Sequence, residues 1–176
     1  MRLVHLACVI VLLASAQGGR AGETAWVSSQ MAQDYLSSAL PRVTKENPRY
    51  LTKADGVLSE WLTESLRFTR QADHSLRVDM FETFRQTRAG ITTPGKHEAS
   101  FALAEVDISE FAEAGDVTPN GDASRGVMFA CRIPGCIAAR WNSEATRAAN
   151  TDISVQESAA RTRILSAFIY LQDHSE

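Results

Sequence analysis

Two cysteines separated by four residues, Pro134-Gly135 among them, constrain this chain more than any other feature. They lie in Gly126-Val-Met-Phe-Ala-Cys131-Arg-Ile-Pro-Gly-Cys136-Ile-Ala-Ala-Arg-Trp141. Val127, Phe129, Cys131 and Ile133 alternate with Met128, Ala130 and Arg132, the period of a strand. Pro134-Gly135 forces a reversal, and Ile137, Ala139 and Trp141 carry a second alternation. The expectation is a β-hairpin pinned by a Cys131–Cys136 disulfide, with Trp141 on the core face beside Ile137. An exposed Trp141 next to Arg140 would instead mark a ligand or partner surface. Closing so short a loop stabilises by about 2 kcal/mol in chain-entropy terms. A redox-active pair needs Cys-x-x-Cys at a helix start, and a zinc site needs more ligands than two cysteines.

Such a bond persists in an oxidising compartment, and the first 21 residues read as the route there. Arg2 begins a positive leader, Leu3 to Ala16 is an apolar run broken only by His5, and Ala14-Ser-Ala16 offers a small-x-small cleavage site. The expected cut follows Ala16. The run is too short for a spanning helix, which needs about 20 apolar residues. Cys8 does not make a lipoprotein signal, because the apolar run follows it where export requires it to precede. The expected product is periplasmic or secreted, bacterial and not membrane-spanning. Cleavage leaves 160 residues, enough for one domain over 24–172. It also moves the formal charge from −3 to −4 by removing Arg2. Positive charges are spread along the sequence, with no basic stripe for phosphate neutralisation, so nucleic acid is not an expected partner.

In chain order, Thr24 to Leu40 has helical spacing, with Val27, Met31 and Tyr35 in one row and Ala32, Leu36 and Leu40 in the next. Thr24 is its expected cap and Pro41 its stop; residues 41–60 read as a connector. Strands are expected over 61–70, 76–85 and 98–107. The first also fits a 3.6 period, but its β-rich neighbourhood favours strand. Phe81 and Phe84 break the phase of the second, as a bulge would. His74 and Thr92-Thr-Pro-Gly-Lys96 read as the intervening turns. Asp107-Ile-Ser-Glu110 has capping-box spacing for a short helical turn to Ala114. A polar loop is expected between Trp141 and Ile153. Ser154-Val-Gln-Glu157 then opens a helix whose stripe is Ala160, Ile164, Ala167, Phe168 and Leu171. The expected fold is α+β: an antiparallel sheet of about five strands, with an N-terminal helix and a C-terminal amphipathic helix packed on it.

Thr24-Ala-Trp, Phe101-Ala-Leu-Ala-Glu-Val-Asp107, Val127-Met-Phe-Ala-Cys131, Cys136-Ile137 and the closing helix together resemble an uncharacterised exported domain family of proteobacteria. The resemblance covers roughly residues 24–172 and implies no activity, ligand or catalytic residue.

The nearest approach to a metal motif is the loop from Asp116, where Asp116, Thr118, Asn120 and Asp122 hold calcium-loop positions with Gly121 at the sixth. Val127 stands where the bidentate glutamate belongs, so an Asn-Gly turn is preferred and no cofactor is expected. His97-Glu98 has half a zinc motif, with Phe101 at the second histidine position. Ser124 lacks nucleophile-elbow spacing. The expectation is a non-catalytic domain that binds an envelope protein or peptide through a sheet edge or loop. The rival is a hydrolase with dispersed groups and His74 or His97 as base. A deep pocket uniting histidine, carboxylate and nucleophile would favour the rival.

Overall fold

The computed structural model describes residues 26–46, 48–52, 57–117 and 123–174. The leader and its cleavage site lie outside the described residues, as do Thr24, Thr118, Asn120 and Asp122. The elements are α1 (Ser29–Glu46), β1 (Arg49–Thr52), β2 (Leu58–Arg70), β3 (Leu76–Arg88), β4 (Ile91–Ala102), a 3₁₀ turn (Leu103–Glu105), β5 (Val106–Val117), β6 (Ala123–Cys131), β7 (Ile137–Trp141), β8 (Glu144–Ala148), β9 (Asn150–Ser154) and α2 (Ser158–Asp173). The α+β class, antiparallel pairing and two terminal helices are as expected. The strands divide between two sheets, one ordered β1-β2-β3-β4-β7-β8 and one β5-β6-β9.

The core lies between the inner face of the larger sheet and the elements that cover it. Leu66, Met80, Ala99 and Ala139 form one row across four strands, and Phe68, Val78 and Phe101 the next. Phe129 of β6 meets Phe101 at 5.0 Å and Phe168 of α2 at 4.8 Å, making it the hinge of the packing. Ile164, Ala167, Phe168 and Leu171 of α2 are fully buried, so the sequence stripe is the docked face. Gly126 is obligatory at the β6–β9 crossing, where a Cβ would sit 2.1 Å from the Ile153 carbonyl oxygen.

The disulfide does not pin a hairpin. Cys131 ends β6 in the smaller sheet, Cys136 precedes β7 in the larger, and their Cα atoms are 5.6 Å apart. Both alternating runs flanking Pro134-Gly135 are strands, but β6 pairs with β5 and β9 while β7 pairs with β4 and β8. The staple therefore closes the corner where the chain passes from one sheet to the other. Arg132 braces that corner, donating to Asp107 Oδ1 at 2.7 Å and to the Ala104 carbonyl at 3.0 Å.

Other local expectations give way to tertiary pairing. α1 begins after Ser28, whose hydroxyl accepts from the Met31 N–H, and it runs through Pro41 to Glu46. Pro41 forfeits one backbone bond, but Leu40 and Thr44 beside it are buried and Thr44 Oγ1 donates to the Thr63 carbonyl of β2. Of the two rows on this helix, Ala32-Leu36-Leu40 is buried, whereas Val27 is 79% exposed. Residues 107–114 are strand, not helix: Ile108 opposes Phe129, and Asp107 holds Arg132 instead of capping. The 92–96 segment belongs to β4, and the turn lies at Ala89-Gly90, both with positive φ. β7 pairs with β4 only over His97–Ser100, so Pro94 sits where one side of β4 is free and costs no ladder bond. The bulge lies in β2 between Thr63 and Ser65, leaving β3 in phase through Phe84. The loop expected after Trp141 holds β8 and β9. Glu157, not Ser154, caps α2, accepting from the Ala159 and Ala160 N–H groups.

Candidate functional site

The larger sheet carries two concentrations of polar groups, one on each face. On the inner face, the row next to Leu66-Met80-Ala99-Ala139 is Thr63, Glu82, His97 and Trp141. Strand alternation places Glu82 on the same side as Leu76, Val78, Met80 and Phe84, so a carboxylate occupies a core position. It is satisfied there: His97 Nδ1 donates to Glu82 Oε2 at 2.9 Å and Thr63 Oγ1 to Oε1 at 3.1 Å. The Glu82 and His97 side chains are each 7% exposed. Aromatic rings close the row. Trp141 lies over His97 with centroids 4.2 Å apart, Trp61 meets Trp141 edge-on at 5.4 Å, and Phe84 stacks on Trp61 at 4.6 Å. Phe84 takes the space above Gly95, where a Cβ would come within 2.1 Å of its ring. Asn142, at φ 52°, locks this arrangement to β4 by exchanging two hydrogen bonds with the Lys96 backbone.

Trp141 is 41% exposed, so its placement in the core is corrected: β7 extends past the covering elements, and the ring roofs His97 from the solvent side. Among the described residues, no hydroxyl or thiol bonds the imidazole, and the Thr63 proton goes to Glu82. Ser59 Oγ and Trp61 Nε1, on the same face of β2, are buried with no hydrogen-bond partner among the described residues. Register places Ser59 opposite Gln86 and His97 opposite Glu82, so serine and imidazole are two strands and four residues apart, roughly 16 Å.

The outer face is different in kind. Arg67, Asp79, Ser100, Ala138 and Arg147 form one row across β2, β3, β4, β7 and β8, beside Ser65, Phe81, Glu98, Arg140 and Ala145. These two rows line an open trough of about 570 Å³. Arg77 on its wall is held by Asp79 at 2.9 Å, and Arg140 lies 3.6 Å from Glu98. Arg67 and Arg147, at opposite ends of their row, form no ion pair among the described residues, although Arg147 Nη1 donates to the Gly135 carbonyl at 3.5 Å. Small side chains at Ser100 and Ala138 leave the floor open.

The other residues singled out from sequence are not brought together. His74 occupies the exposed β2–β3 turn with φ 66°, and His174 follows α2. Ser124 is buried in the smaller sheet, near Ser154 and Gln156. Asp116 lies in β5, with its side chain outside the described residues. No group of three or more metal-ligating side chains occurs among the described residues, and no described helix is long and apolar enough to cross a membrane. Sequence reading missed Glu82, although its place in an otherwise apolar alternation was visible, and missed the arginine row, which exists only in the paired sheet. No protein family, curated protein or solved structure matches the chain.

Proposed function

We propose that this chain is an exported, non-catalytic binding domain of the bacterial envelope that meets a protein or peptide partner through the outer face of its larger sheet. The observation that carries this reading is the open trough with uncompensated arginines at its two ends. Surface cations without carboxylate partners, above a floor of small side chains, suit recognition by charge and shape. The rival hydrolase is less well supported, because the buried histidine–carboxylate pair is spent on Thr63 and roofed by Trp141. Export draws its support from the Arg2 leader with Ala14-Ser-Ala16 and from the Cys131–Cys136 pair.

The test is capture of partners from native envelope extracts by the tagged protein and by an Arg67→Glu/Arg147→Glu variant of unchanged thermal midpoint. A partner held by the wild type and lost from the variant supports the reading; equal capture by both overturns it. Ester or amide turnover abolished by His97→Gln, with the fold intact, would install the hydrolase in its place. Mass analysis of the periplasmic protein should give a chain beginning at Gln17, and a cytosolic chain retaining Met1 would remove export.

A further inference from the structure

Resting on that reading, we infer that the trough takes an extended acidic polypeptide segment with carboxylates at the two ends of about six residues, one on Arg67 and one on Arg147. The length follows from the register. Arg67 on β2 and Arg147 on β8 are separated by four strand-to-strand steps through Asp79, Ser100 and Ala138. At about 4.8 Å per step the backbones lie roughly 19 Å apart, which an extended chain covers in about six residues. Both terminal arginines are exposed, and the interior arginines, Arg77 and Arg140, already have carboxylates. Uncompensated positive charge is thus concentrated at the ends of the row. Ser100 and Ala138 at its centre admit a backbone at close range.

The same pattern sets the chemical class. Asp79 and Glu98 would face a uniformly charged polyanion such as nucleic acid or a sulfated glycan, whose binding requires phosphate or sulfate neutralisation along its length. A polypeptide places its charges singly and leaves neutral residues between them. That spacing fits two cations with compensated or small side chains in between.

The experiment uses the mature chain and fluorescein-labelled seven-residue peptides of serine, threonine and valine carrying two aspartates, read by anisotropy. With aspartates at the first and last positions, affinity should exceed that of the isomer with aspartates two apart by about fivefold, and it should fall as salt rises. Arg67→Glu and Arg147→Glu should each weaken it by about tenfold. Equal affinity of the two isomers, equal affinity after replacing aspartate by lysine, or tighter binding of polyphosphate would overturn the inference. If envelope capture depends on Arg67 and Arg147 while no aspartate peptide binds, this inference alone fails. If capture is also indifferent to the arginines, the proposed function fails with it.

Discussion

Two adjacent rows on one sheet face are built from opposite materials. Leu66, Met80, Ala99 and Ala139 are an ordinary hydrocarbon layer, whereas Thr63, Glu82, His97 and Trp141, two residues along each strand except at the β2 bulge, are polar and aromatic. Both rows point inward, since alternation fixes which side a residue faces and says nothing of what it must be. The hydrocarbon row gains from removal of surface from water, wherever it meets other carbon. The polar row gains nothing from burial alone: its hydrogen-bonding groups must find partners or lose stability. Its geometry is therefore demanding. A two-residue slip of β4 against β3 keeps both rows facing inward and costs the first mainly repacking, but it would strand Glu82, so the pair acts as a register lock.

The sharpest way to break this comparison is His97→Leu, which leaves Glu82 buried without its ring. We expect a loss of about 4 kcal/mol in urea unfolding. Met80→Ala, in the neighbouring row, should cost about 3 kcal/mol through its cavity. If the rows differ as argued, replacing both partners by Glu82→Met/His97→Leu should recover most of the single-variant loss, to within about 1 kcal/mol of wild type. A double variant no better than His97→Leu would refute the coupling.

The smallest effect lies far from both rows. Hydrogen bonds from the Ser75 hydroxyl and N–H hold the Asp73 carboxyl below its ordinary value. A depressed folded value means stability that is present above the unfolded value and fades as pH falls through the folded one. The thermal midpoint difference between wild type and Asp73→Ala should thus be constant above about pH 5 and shrink toward zero at more acidic pH. A difference that persists unchanged at pH 2 would assign the turn to backbone conformation alone.

What could be read from sequence was what depends on local period. The burial of Ile164, Phe168 and Leu171 and the strand around Val78 follow from spacing, whereas residues 61–70 fit a helical period as well and only their β-rich neighbourhood points to the strand around Leu66. Where a local signal competed with long-range pairing, pairing won. Asp107-Ile-Ser-Glu110 has a cap's spacing, yet Ile108 gains more against Phe129 than a single helical turn returns. Pro41 marks a stop, yet the buried face of α1 continues to Thr44. The arginine row was invisible for another reason. Arg67 and Arg147 lie eighty positions apart, so charge scattered along the chain becomes a line only when five strands are in register.

The covalent corner at Cys131 and Cys136 gives the two sheets a shared boundary condition. Once oxidised, the end of β6 and the start of β7 are no longer independent, so an error in assembling either sheet is carried into the other. The four residues between the cysteines thus tie the placement of the six-stranded sheet to that of the three-stranded one among the described residues.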